Sequence, residues 1–134
     1  KPPSGPLDGA GRRSLYLSVR RNFLSPFLVT FDTPIPFSTV GRRQTSNVPA
    51  QALILLNDPF VHGQAAVWAK RVLAEPGGAD DKLTGMYLTA FGRPPTPAEL
   101  ADCRGFVAGR EQDPAAWADL AHALVNVKEF VFVK

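Results

Sequence analysis

Six arginines stand in three adjacent pairs, Arg12-Arg13, Arg20-Arg21 and Arg42-Arg43, within the first 45 residues of this chain. A guanidinium presents a planar fork of donors that matches a carboxylate, a phosphate, or a sulfated or uronic sugar through two parallel hydrogen bonds. The competing explanation is that these arginines pair with acids of the later segments, such as Asp58, Asp102 or Asp119, or stay solvated. A second polar string, Gln44, Thr45, Ser46, Asn47 and Gln51, precedes Asn57 and Asp58, with a largely apolar segment between. Groups that bracket an apolar helix in this way commonly serve as caps. Arg20, Arg42, Arg43 and Gln51 are therefore the candidate ligand-binding residues.

The remaining reactive side chains point away from catalysis. His62 and His122 are sixty positions apart, and neither has a second ligand three or four residues away. A zinc site needs three or four converging donors, so both are expected to be surface or hydrogen-bonded histidines. Cys103 falls on an apolar face, as a buried and inert thiol does. Asp80-Asp81 is better explained as carboxylates at a helix start than as calcium ligands. No glycine cluster is followed by the Lys and Ser/Thr of a phosphate loop, and no Cys-x-x-Cys-His attaches a haem. No catalytic residue and no metal ligand is assigned, and no cofactor is expected in this fragment.

The elements that must position these residues follow from composition and punctuation. The 134 residues are 45% apolar with one cysteine, which suits a single globular domain and excludes an internal disulfide framework. No apolar run approaches the ~18 residues of a membrane span. Residues 1–45 hold seven basic against two acidic side chains, a net of +5, and the remainder hold eight against ten, a net of −2. The net +3 overall, with no reading motif, argues against nucleic acid as a partner. The chain opens at Lys1 without Met and closes on the apolar stretch 130–133, so it is expected to be a segment of a longer polypeptide.

Residues 1–11, with Pro2, Pro3, Pro6, Gly5, Gly9 and Gly11, read as a linker, and 12–134 as one domain. Within it, 12–45 is a basic, Pro-rich, partly extended arm. There the alternation of Leu15, Leu17 and Val19 predicts a short strand, and Ser25-Pro26 opens one or two helical turns. Residues 46–134 form a helical bundle. Ala50 to Leu56 suggests a short buried helix, and Asp58-Pro59 opens a helix to about Ala74 with Val61, Ala65, Trp68 and Val72 in one stripe. Asp80 opens the next, carrying Leu83, Met86, Tyr87, Ala90 and Phe91 inward, and Gly92 stops it. Thr96-Pro97-Ala98-Glu99 is a capping box ahead of Leu100, Cys103, Phe106 and Val107. Asp113-Pro114 opens the last helix, with Trp117, Leu120, Ala121, Leu124 and Val125 on one face. Glu129 to Val133 is β-like and could pair with Leu15–Val19 as a two-stranded element. The expected fold is mainly α, a small bundle of about five helices with that arm.

A resemblance is carried by Arg12-Arg13-Ser14-Leu15-Tyr16-Leu17, Arg20-Arg21-Asn22 and Phe31-Asp32-Thr33-Pro34. Gly41-Arg42-Arg43, Val48-Pro49-Ala50-Gln51-Ala52-Leu53 and Leu55 to Val61 follow in order, as do Phe91 to Leu100, Ala116 to Leu120, and His122 to Phe130 in part. Over residues 12–133 the chain resembles a planctomycete-specific domain of unknown function. Ser18, Ile35 and Val127-Lys128 depart from the pattern, where proline, aspartate and Ser-Asn are usual. The resemblance implies context. Such domains close large exported proteins, behind a cytochrome-c-like domain and a second uncharacterised domain, sometimes with a lectin-like module; any haem would then belong elsewhere in the parent. The function expected is an interaction or scaffold module docking onto other domains of its own polypeptide. The alternatives are binding of an anionic glycan or other polyanion through the arginine arm, or completion of an enzyme site begun upstream. Asp32, Asp58 and His62 meeting in one cleft would favour the last.

Overall fold

The computed structural model describes residues 13–14, 24–34, 36–37, 39, 41 and 49–132. Among these the chain is helical, in the order α1 (Pro26–Thr30), α2 (Pro49–Asn57), α3 (Pro59–Ala74), α4 (Ala79–Phe91), α5 (Pro97–Val107), α6 (Pro114–Val125) and α7 (Lys128–Val131). The mainly helical class is as the sequence predicts. The strand expected at 15–19 lies outside the described residues. Two compact units divide the chain, Lys1–Ile54 and Leu55–Lys134, with the division inside α2.

Proline explains where the helices begin. Five of the seven open on it, at Pro26, Pro49, Pro59, Pro97 and Pro114. At that position the missing N–H has no helical partner to lose and the fixed φ is already helical. Four of these starts carry a side-chain cap from the preceding residue. Ser25 accepts from the Leu28 amide, Asp58 from Phe60, Thr96 from Glu99 and Asp113 from Ala115. The Glu99 carboxylate in turn accepts from the Thr96 amide at 2.7 Å, completing the predicted capping box. Helix α4 starts at Ala79, one residue before the expected Asp80. Its cap is the Asp81 carboxylate, which accepts from the Gly78 amide at 3.0 Å. Gly92 ends α4 at φ 69°, a left-handed conformation that lets its N–H reach the Leu88 carbonyl.

The core of the Leu55–Lys134 unit lies between α3, α4, α5 and α6, with α3 and α6 forming the most extensive helix pair. Ala65, Ala69 and Val72 from α3 meet Trp117, Leu120, Ala121 and Leu124 from α6, and Leu83, Met86, Tyr87, Cys103 and Val107 close the other side. The small side chains of Ala65, Ala69 and Ala121 let the α3 and α6 backbones approach, leaving room for Trp117, which is fully buried. Its indole N–H is satisfied by the Glu111 carbonyl at 2.9 Å.

Three expectations are corrected. Helix α2 forms but buries none of its residues; Leu56 is 51% exposed. A nine-residue helix that is apolar on every side has no polar face to mark which way is out, so its sequence could not locate its surroundings. Phe106 is exposed instead of inward, with the Arg110 guanidinium over its ring at 5.8 Å, a cation–π contact that partly shields it. The segment expected to be β-like from Glu129 instead forms a helical turn, α7, with Glu129 ion-paired to Arg93; so short an apolar run has only a weak strand preference, and Val133 lies outside the described residues.

Candidate functional site

Two side-chain clusters in the Leu55–Lys134 unit bring together residues that are distant in sequence. The first follows from the α3–α6 packing. His62, in the first turn of α3, and His122, in the last turn of α6, have ring centroids 4.1 Å apart with planes tilted by 33°. The two rings reach consecutive carbonyls in the final turn of α2. His62 Nε2 is 3.1 Å from Leu56 O, and His122 Nε2 is 3.1 Å from Leu55 O. A carbonyl can only accept, so each ring places a proton on Nε2 towards it. The last four carbonyls of a helix have no partner within it, and here two of them are capped by imidazoles. His62 is exposed and His122 half-buried. The expectation of hydrogen-bonded histidines holds, and their adjacency is new.

The second cluster centres on Arg93, just past Gly92. Its guanidinium donates to both Glu99 oxygens, at 2.9 and 2.8 Å, and to both Glu129 oxygens, at 2.9 and 2.8 Å. A further bond runs to the Pro94 carbonyl at 3.2 Å. The cation also lies over Tyr87 at 5.8 Å and Phe91 at 5.7 Å. Arg93 thus ties the start of α5 and the turn of α7 to the end of α4. Its hydrogen bonds, with help from the Thr96 amide, hold the Glu99 carboxyl down at about 2. Every donor of the fork is used, so the cluster acts as a clasp with nothing left to offer an incoming anion.

Beneath it, the Tyr87 hydroxyl lies 3.7 Å from Cys103 Sγ. Burial pushes the Tyr87 phenol above its ordinary range, with the thiol contact adding to it. Burial likewise raises the Cys103 thiol, partly opposed by the Tyr87 hydrogen bond. A thiol raised in this way is a poor nucleophile, as its apolar position in the sequence suggests.

Of the sequence candidates, Arg20, Arg42 and Arg43 lie outside the described residues. Gln51 sits in α2, where its side-chain amide donates to the Thr30 carbonyl at 3.1 Å within the Lys1–Ile54 unit. Asp58 caps α3 and Asp32 follows α1 at φ 59°. Asp80 and Asp81 are helix-start carboxylates as expected, Asp80 pairing with Arg104 of α5. Among the described residues no three His, Cys, Asp or Glu side chains converge as a closed metal site requires, and no helix is long and apolar enough to cross a membrane. The histidine pair is what sequence reasoning missed. Its only signal was that His62 lies one helical turn into its element and His122 one turn from the end of its own, which coincide when two helices pack antiparallel.

A family model described as PSD1, protein of unknown function (DUF1553), matches residues 4–107, and the chain belongs to that family. That match takes in the arginine pairs, α2, and the α4–α5 corner with Arg93 and Glu99. No curated protein and no solved structure matches the chain.

Proposed function

We propose that this member of the PSD1 family is a non-catalytic docking module, and that it packs α2 and its basic arm against a neighbouring domain of the same polypeptide. The observation that carries this reading is α2 itself, an apolar helix that buries none of its nine residues. Keeping such a helix in water is unfavourable, at roughly 25 cal/mol for each Å² of apolar surface, and a partner face recovers that energy. The arm adds direction. With a net charge of +5 over residues 1–45, Arg20, Arg42 and Arg43 steer the module towards a face rimmed with carboxylates. The partner is thus an apolar surface with an acidic border. The resemblance to planctomycete domains supports a setting in an exported multidomain protein with a cytochrome-c-like domain, where such a partner lies upstream in the chain.

The test is calorimetric titration with the remainder of the parent polypeptide at low and high salt. Saturable binding with a negative heat-capacity change is expected. Arg42→Ala/Arg43→Ala should weaken it chiefly at low salt, and Leu56→Glu at both salts. Absence of heat at every temperature and salt overturns the docking reading.

A further inference from the structure

The histidine pair has no part in the docking role, and its geometry does something a docking face alone does not require. We propose that His62 and His122 form a one-proton latch on the final turn of α2, which tightens when the pair gains one proton and opens when it gains a second.

Three observations support it. The two Nε2–H groups are already engaged by consecutive carbonyls of α2, Leu56 O for His62 and Leu55 O for His122, both at 3.1 Å. A further proton therefore enters at Nδ1, and it makes either bond charge-assisted without breaking it. The two acceptors also stand at the carbonyl end of a helix, where partial negative charge favours a cation. The first proton thus strengthens the hold on Leu55 and Leu56. Finally, the rings are stacked, with centroids 4.1 Å apart and planes tilted by 33°. Two imidazoliums at that separation repel, so the second proton is refused until the solution is more acid. The rings come from α3 and α6, whose shared buried core restrains both backbones. The repulsion is then relieved by rotating a side chain, which withdraws a ring from its carbonyl.

The surrounding charges agree with this order of events. Helix α2 carries no charged residue. On α3, Asp58 lies one turn before His62, its carboxylate engaged by the Phe60 amide at 2.8 Å. On α6, Asp119 is exposed one turn before His122. On α7, Lys128 adjoins Glu129, which is paired with Arg93 at the end of α4. Asp80, Asp81 and Lys82 open α4, which follows the opposite end of α3 from His62. Among the described residues no acid lies within ion-pair distance of either ring, so the pair acts chiefly through its own two charges and the helix end. Histidine ordinarily changes charge between about pH 5 and 8, so the latch answers to mild acid.

The test uses the whole chain. Long-range proton–nitrogen correlation spectra, followed from about pH 8 to about pH 4, should show the Nδ1 resonances moving in two separate steps. Each step should be visible at both rings, because the protons belong to the pair. Hydrogen-exchange protection of the amides of residues 55–57 should rise about two- to fivefold through the first step, the usual effect of a cation at a helix C-terminus, and fall through the second. His62→Gln keeps a donor for the Leu56 carbonyl but takes no charge, and His62 is exposed, so the core is untouched. In that variant His122 should titrate in a single step and the fall in protection should vanish. Independent single-step titration of the two rings in the wild type, an unchanged His122 curve in His62→Gln, or protection that does not rise through the first step would overturn the latch.

Discussion

Glu99 carries two structural duties on one carboxylate: it accepts from the Thr96 amide at the start of α5, and it grips Arg93 through both oxygens. Its carboxyl is held at about 2 against an ordinary 4.5. A depressed acid contributes stability that is complete above the unfolded value and is lost as pH falls through the folded one. Chemical-denaturation midpoints should therefore decline as pH is lowered from about 4.5 towards 2, and Glu99→Gln should flatten that decline. The clasp is one-third exposed, so the effect will be smaller than for a buried pair and will shrink in salt. Cys103 supplies a second check at this scale. Burial raises its thiol, so an alkylating reagent should label it no faster than the protein opens, and denaturant should make labelling immediate.

At the scale of the element, the helix starts and α2 behave oppositely. Thr96 accepts from the Glu99 amide at 3.3 Å and so holds one end of the capping box. Thr96→Ala should cost about 1 kcal/mol in urea unfolding, the usual value of a lost N-cap. Leu56 on α2 is half exposed, and Leu56→Glu should change the stability of the isolated domain by less than about 0.5 kcal/mol. The same substitution is expected to weaken docking, so fold and function separate cleanly at this position. Both elements are written in apolar and proline-rich sequence. Caps are legible because their hydrogen bonds run between neighbours in the chain, whereas the fate of an apolar face depends on what lies across from it.

Among the described residues, α3 and α6 make the most extensive helix pair. Leu120 is 4% exposed and lies on the α6 face that meets α3 and α4. Leu120→Ala should destabilise by about 2–5 kcal/mol, read from the shift in urea midpoint at constant m-value. The same pairing creates the histidine pair, so a core substitution that shifts α3 against α6 should also change the ring contact. Arg93 acts at this scale too, because Glu129 lies thirty-six residues beyond it and the ion pair fastens the helical turn α7 to the end of α4.

The sequence by itself determined the helical class, the starts of α1, α3, α5 and α6, the stop at Gly92, and most of the inward face of each long helix. These depend on caps, proline geometry and a 3.6-residue period, all of which act within a turn or two of chain. Only the tertiary structure decided that α2 buries none of its residues, that Phe106 is left exposed, that the last segment forms a turn, and that His62 meets His122. Each of those outcomes turns on which elements pack together and which are left uncovered, and residue types spaced along one element carry no information about which other element will face them.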